Sequence, residues 1–136
     1  MLKKKKPVES KQKLMKQAEA KWKELCWAIY GTKCAVCNQP ANSIHHFIPR
    51  SRNGLMIYDI KNGVPLCISC HYIIHFSHNP ADVFRIVNNI RKIRGKKWCK
   101  YIDEKEKCHK ASFKTVFWLK AELDKLQKYG TKKIFV

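Results

Sequence analysis

Four of the seven cysteines fall in two tight pairs, Cys34-x-x-Cys37 and Cys67-x-x-Cys70, with 29 residues between the pairs. Two such pairs close one tetrahedral metal site. Each forms a knuckle whose two thiolates point at a shared ion, and Zn2+ is the ion that suits four sulfurs. The rival readings explain less. A thioredoxin-type redox centre needs only one pair, and four unrelated buried cysteines need no spacing at all. An odd cysteine count behind a Met1-Leu2-Lys3-Lys4 start, with no apolar leader, argues against a closed disulfide framework. A reducing cytoplasm is the expected compartment. Cys26, Cys99 and Cys108 stand outside the pairs and are expected to be small buried hydrophobes.

Histidines occupy the same stretch. His45 and His46 lie between the pairs, and His71 and His75 follow directly after the second. An i, i+4 pair on a helix puts two imidazoles on one face, near enough to share an ion; a merely polar helix face is the plainer reading. In a strand, neighbours point to opposite faces, so His45 and His46 are suited to different tasks. One can ligate metal while the other moves a proton. Phosphodiester hydrolysis needs that division: a metal at the phosphate and leaving oxygen, and a base for water.

The elements that carry these residues are short. Strands are expected at about Ser43–Ile48 and Gly63–Leu66, joined by a loop marked by Pro49, Asn53 and Gly54. Residues 70–76 read as a helix closed by Asn79-Pro80. In front, Leu14, Ala18, Trp22, Leu25 and Ile29 recur at helical spacing over residues 10–30, with Gly31 as the stop. Behind, a helix from Pro80 is expected to bury Val83, Ile86, Val87, Ile90 and Ile93. Arg85, Arg91, Lys92 and Arg94 would lie on its other side, with Gly95 at its end. Residues 96–111 carry no clear period. Ser112 would cap a last helix that turns Val116, Leu119, Leu123 and Leu126 inward and stops at Gly130, with Phe113, Phe117 and Trp118 read as core.

Charge divides the chain in the same way. The 29 basic and 10 acidic residues give a net charge of +19. Residues 34–79 hold three of the basic residues and one of the acidic, so the flanks carry most of the excess. The expected partner is a polyanion, with DNA preferred to RNA. No apolar run is long enough to span a membrane, and no strongly apolar helix face accompanies the Lys3, Lys4, Lys5, Lys6 tail. The expected organisation is a disordered basic tail (1–9), a helix (10–31), a site-bearing core (32–79) and a basic helical extension (80–136).

Cys34-x-x-Cys37, His45-His46, Asn62, Cys67-x-x-Cys70-His71 and His75 together resemble an HNH endonuclease. The run Asn62-Gly63-Val64-Pro65-Leu66-Cys67-Ile68-Ser69-Cys70-His71 is close to the family's N-(L/V)-V-P-L-C-x-x-C-H, and six motif elements agree in order over residues 34–76. The resemblance implies an α+β fold, a zinc-stapled ββα-metal core flanked by helices. It implies His46 as general base and Asn62 as the residue that pins the loop and orients it. It also implies a catalytic divalent ion on His45, His71 and His75. His45 stands where many members carry Asp and the colicin-type DNases carry His; His75 matches the extra ligand of that type. Three neutral imidazoles admit Zn2+, Ni2+ or Mn2+ as well as Mg2+. The implied products carry 5′-phosphate and 3′-hydroxyl ends. Arg50 and Arg52 are candidates to clamp a neighbouring phosphate, and Lys3–Lys6 to gather DNA non-specifically. His78 is expected to be a helix-end residue and His109 a surface residue. Two alternatives remain open: a non-catalytic zinc module that binds nucleic acid within an assembly, and a phage-type nuclease that cuts branched DNA.

Overall fold

The computed structural model describes residues 10–108 and 115–134. The tail residues Lys3, Lys4, Lys5 and Lys6, together with His109, Ser112 and Phe113, lie outside the described residues. Helix α1 (Lys11–Tyr30) starts where Ser10 Oγ accepts from the Lys13 amide and ends at Gly31, which adopts φ 82°. Its inward face, Leu14, Ala18, Trp22, Leu25 and Cys26, is buried. Strands β1 (Ser43–His46) and β2 (Gly63–Leu66) form an antiparallel pair that sets His45 opposite Val64 and His46 opposite Gly63. β1 stops two residues short of the expected Ile48. Ile48 bonds to the Asn62 side-chain amide there, in place of a backbone ladder.

Between the strands the chain makes two 3-10 turns, Gly54–Met56 and Ile60–Asn62, capped by Asn53 and Asp59 side chains. Helix α2 (Ile68–Phe76) begins two residues before the expected position, with Cys67 as its N-cap. The β1–β2–α2 succession is the ββα order that the resemblance implies, and the fold is α+β. Helix α3 (Pro80–Arg94) is capped by Asn79, and α4 (Lys96–Glu106) follows from Gly95. Arg91 donates two 2.8 Å bonds to Asp103 and ties α3 to α4. Helix α5 (Val116–Ile134) packs along α1. No helix among the described residues is long and apolar enough to cross a membrane.

Several expectations change. Residues 96–106 are helical because Trp98 and Ile102, one turn apart, are both buried. α5 runs through Gly130, where a Cβ would come within 3.1 Å of Leu25; the residue is small to admit α1 and does not end the helix. Ile93 and Phe117 are exposed, not core. Arg94 turns inward instead of outward. It donates to the Gly63 carbonyl at 2.8 Å and lies 3.7 Å over the Tyr30 ring. Of the unpaired cysteines, Cys26 is buried, Cys99 is half-buried and Cys108 is exposed.

The sheet separates two apolar clusters. On one side α1 and α5 enclose Ile44, Ile57, Tyr58 and Ile60. On the other, Val64, Leu66 and Ile48 meet Ile86, Ile90, Trp98 and Ile102. β1 therefore has a covered environment on each face, and its two histidines look into different surroundings.

Candidate active site

The first knuckle is a tight turn. The Cys34 amide donates to Gln39 O at 2.7 Å, Asn38 takes φ 64°, and Ala35 docks on β2 through the Pro65 carbonyl. The second knuckle is the start of α2. The four sulfurs of Cys34, Cys37, Cys67 and Cys70 all lie within 4.8 Å of one another, with Cys37 and Cys67 at 3.5 Å. A tetrahedral zinc with bonds of ~2.3 Å sets its sulfurs about 3.8 Å apart, so the donor set fits that ion. The Val36 and Cys70 amides point at Cys34 Sγ and Cys67 Sγ, at 3.5 and 3.4 Å. Burial opposes a charged Cys34, yet amide donors from Cys37, Cys67 and Val36 prevail and hold its pKa down at about 7. Burial and the neighbouring thiols push Cys70 up.

His71 follows Cys70 directly, so the helix that starts at the cysteine frame carries the next cluster. His45 on β1 meets His71 and His75 on α2, with one ring nitrogen from each inside the same 4.8 Å limit. His71 Nε2 and His75 Nε2 are 2.9 Å apart. The His45 ring lies 5.2 Å from each of the other two, edge-on. Burial, reinforced by the neighbouring imidazoles, lowers the pKa of His45 to about 3, and burial also lowers that of His71. Both are neutral at pH 7, as metal ligation requires. Ser43 Oγ sits 2.9 Å from His71 Nδ1. With Nδ1–H donated to Ser43, the Nε2 lone pair faces the cluster. Three imidazoles with an exposed edge at His75 fit a divalent cation that keeps open positions.

His46 occupies the other face of β1. Its Nε2 lies 2.9 Å from the Ile57 carbonyl, which can only accept, so Nε2 carries the proton and Nδ1 keeps a lone pair. Trp22 of α1 stacks on the ring at 4.3 Å between centroids, with the planes within 8°. Trp22 is itself held by a 2.8 Å bond from Nε1 to Asp59 O. That close stack requires the residue opposite His46 to be Gly63: a Cβ there would fall 2.5 Å from Cys26 Sγ and 3.0 Å from the Trp22 ring. Burial lowers the His46 pKa; the Ile57 carbonyl opposes this, and the Arg50 charge adds to it.

Asn62 is fully buried. It accepts from Ile48 N at 2.7 Å and donates to Ile48 O and Met56 O at 3.1 Å. These bonds go to the loop and not to the His46 ring. They fix both ends of residues 48–56, and Ile57, whose carbonyl holds His46, comes next. Beside His46 lies a cavity of about 390 Å3 lined by Arg50, Glu19, Lys16 and Tyr58 among others. Arg52 is exposed and does not line it. His78 is exposed between α2 and α3 and stands outside the histidine cluster.

Sequence reasoning missed Ser43 and Trp22. The signal for Ser43 was available, because it lies two residues before His45 and so on the same strand face. Trp22 was legible as a core residue of α1, but no local pattern says that its ring meets His46, 24 positions away.

Among known proteins, a family model described as HNH endonuclease matches residues 34–79. The match spans the cysteine frame, both strands and α2, and leaves α1 and α3–α5 outside it. No curated protein and no solved structure matches the chain.

Proposed function

From the premise that residues 34–79 are an HNH endonuclease domain, we propose that this protein is a metal-dependent endonuclease that hydrolyses DNA phosphodiester bonds. One observation carries the reading: the two adjacent histidines of β1 are committed to opposite faces. His45 joins His71 and His75 in a cluster of donors, while His46 is held by Ile57 O and Trp22, with Nδ1 given no hydrogen-bond partner among the described residues. His45, His71 and His75 would hold the catalytic cation, and Cys34, Cys37, Cys67 and Cys70 the structural zinc. When bound, the catalytic ion supplies Lewis-acid stabilisation of charge on the phosphate and the leaving oxygen.

The chain's own residues do the rest. The Ile57 carbonyl fixes the His46 tautomer, so Nδ1 is the atom that takes a proton from the attacking water. The lowered pKa of His46 keeps that nitrogen unprotonated at neutral pH. Asn62 holds the loop that presents the carbonyl. Arg50, which lines the cavity beside His46, would meet a phosphate oxygen. The basic flanks gather DNA by counterion release, and Lys3–Lys6 belong to that set. The leaving group is the 3′ oxygen, giving 5′-phosphate and 3′-hydroxyl ends.

The test is cleavage of plasmid and linear DNA by purified protein, before and after mild chelation, with Mg2+, Mn2+, Ni2+ and Zn2+ restored one at a time. Recovery of strand scission with at least one ion is the expected result. A folded, zinc-loaded protein that binds DNA and cuts none of it with any ion would refute the reading in favour of a non-catalytic zinc module.

A further inference from the structure

Helix α2 carries a second set of residues that hydrolysis does not use. Ile68, Tyr72 and Phe76 are exposed by 70%, 62% and 62%. Spaced at i, i+4 and i+8, they form one stripe along the helix. Each of the last two directly follows a clustered histidine, His71 or His75, and lies about 100° round the helix from it. The Tyr72 and Phe76 rings are 5.1 Å apart, and Phe76 is 6.1 Å from the His75 ring. The stripe therefore begins at the edge of the candidate metal centre.

Charge narrows what would cover it. From residue 60 to residue 81 the chain has no Asp or Glu. The adjoining helix α3 presents exposed Phe84 and Arg85. A helix of exposed rings that itself carries no carboxylate, with Asp82 the one acid of the first turn of α3 beside it, on a chain of net charge +19, matches a ligand that offers flat apolar faces on an anionic backbone. Within an intact duplex those faces are covered by neighbouring bases, and only bases out of the stack present them. Rings 5.1 Å apart leave no room for a base between them, so a base lies against the outer side of the pair.

We infer that the Ile68–Tyr72–Phe76 stripe is a stacking surface for unpaired nucleobases, and that the preferred substrate is DNA with bases displaced beside the cleaved strand, as at a bulge, flap or branch. This rests on the endonuclease reading for the cleavage, but not for the stacking. It favours a structure-selective nuclease over one that cuts any duplex.

The experiment compares a fully paired duplex with the same sequence carrying a three-nucleotide bulge, with 2-aminopurine at an unpaired position. Affinity is measured without added divalent ion, and cleavage with it. Wild type is expected to bind the bulged DNA about tenfold or more tighter than the duplex and to quench 2-aminopurine. The variant Tyr72→Ala/Phe76→Ala alters only exposed side chains and should keep the thermal midpoint, the duplex affinity and the salt slope. It should lose the tenfold margin and the quenching. Equal wild-type affinity for the two DNAs would overturn the inference. So would a variant that weakens both equally, which marks a groove contact, or one that abolishes a dimer without changing DNA affinity. Stripe-dependent binding of bulged DNA with no cleavage under any ion would support the stacking surface while sinking the endonuclease reading. Cleavage of duplex and bulge at the same rate by wild type and variant alike would do the reverse.

Discussion

Asn62→Ala should unpin the loop that presents the carbonyl partner of His46. Three hydrogen bonds are lost, from Ile48 N at 2.7 Å and to Ile48 O and Met56 O at 3.1 Å, at a fully buried residue. Two of the deletions leave Ile48 N and Ile48 O buried without a partner, at a cost of about 1–3 kcal/mol each, while Met56 O keeps the Asp59 amide at 3.1 Å. Water entering the vacated volume would recover part of that, so the expected loss is about 2–4 kcal/mol in total. That is a large share of a typical ~5–15 kcal/mol stability. Urea unfolding of zinc-loaded protein, with the slope checked for two-state behaviour, reads the loss. Amide exchange at Ile48 should rise selectively, since its donor has lost its acceptor. Cleavage should fall with it, because Ile57 O no longer fixes the tautomer of His46. Asn62→Asp should not rescue: it keeps an acceptor for Ile48 N but turns a carboxylate oxygen toward two carbonyls. A destabilisation under about 1 kcal/mol, with cleavage intact, would refute the view that these bonds hold the loop.

Cys67→Ser should remove the zinc and lower stability by several kcal/mol, because the broken tetrahedral site leaves three thiolates without their counter-ion, while the serine oxygen can still cap α2; elemental analysis alongside thermal unfolding checks both. His46→Ala should abolish cleavage while leaving DNA affinity and metal content nearly unchanged, as single-turnover kinetics and filter binding would show. Ser43→Ala should weaken the exchangeable metal about tenfold or more without touching the zinc, since it removes the partner that sets the His71 tautomer; metal titration reads this directly. The pH dependence follows from burial, which lowers the pKa of His45 to about 3 and depresses His46 and His71. Below the ordinary value of ~6.5 the unfolded chain binds protons that the folded chain refuses. Stability of the metal-free protein should therefore be complete above about 6.5 and decline as pH falls toward 3. Cleavage should persist below 6.5 instead of halving there, and a pH–rate midpoint at 6.5 would contradict this.

What was legible in the sequence is what short spacing encodes. Two C-x-x-C pairs, an i, i+4 histidine pair and an alternating strand bring their side chains together with little help from distant chain. The donor clusters and the ββα order were visible for that reason. The misreadings come from long-range contacts. The aliphatic period of α3 pointed Ile93 inward, but the Gly63 carbonyl and the Tyr30 ring recruit Arg94, one position on, and Ile93 is left in solvent. Gly130 looked like a stop because glycine often ends helices; here it is the thin spot where α5 crosses Leu25. Helix α4 was hidden because lysines outnumber the two residues, Trp98 and Ile102, that anchor it.

The Trp22–His46 stack bears on how this protein can be divided. The segment that matches the family begins after α1 has ended, yet one wall around its free histidine belongs to that helix. A fragment trimmed to residues 34–79 would keep every donor atom of both clusters and still uncover Ile44, the His46 ring and the hollow that Gly63 leaves for Trp22. The stretch that matches the family and the stretch that must be kept whole are thus different lengths of chain. Grafting the histidine centre onto another scaffold would have to carry a flat aromatic ring in from outside the motif, at the angle that α1 supplies.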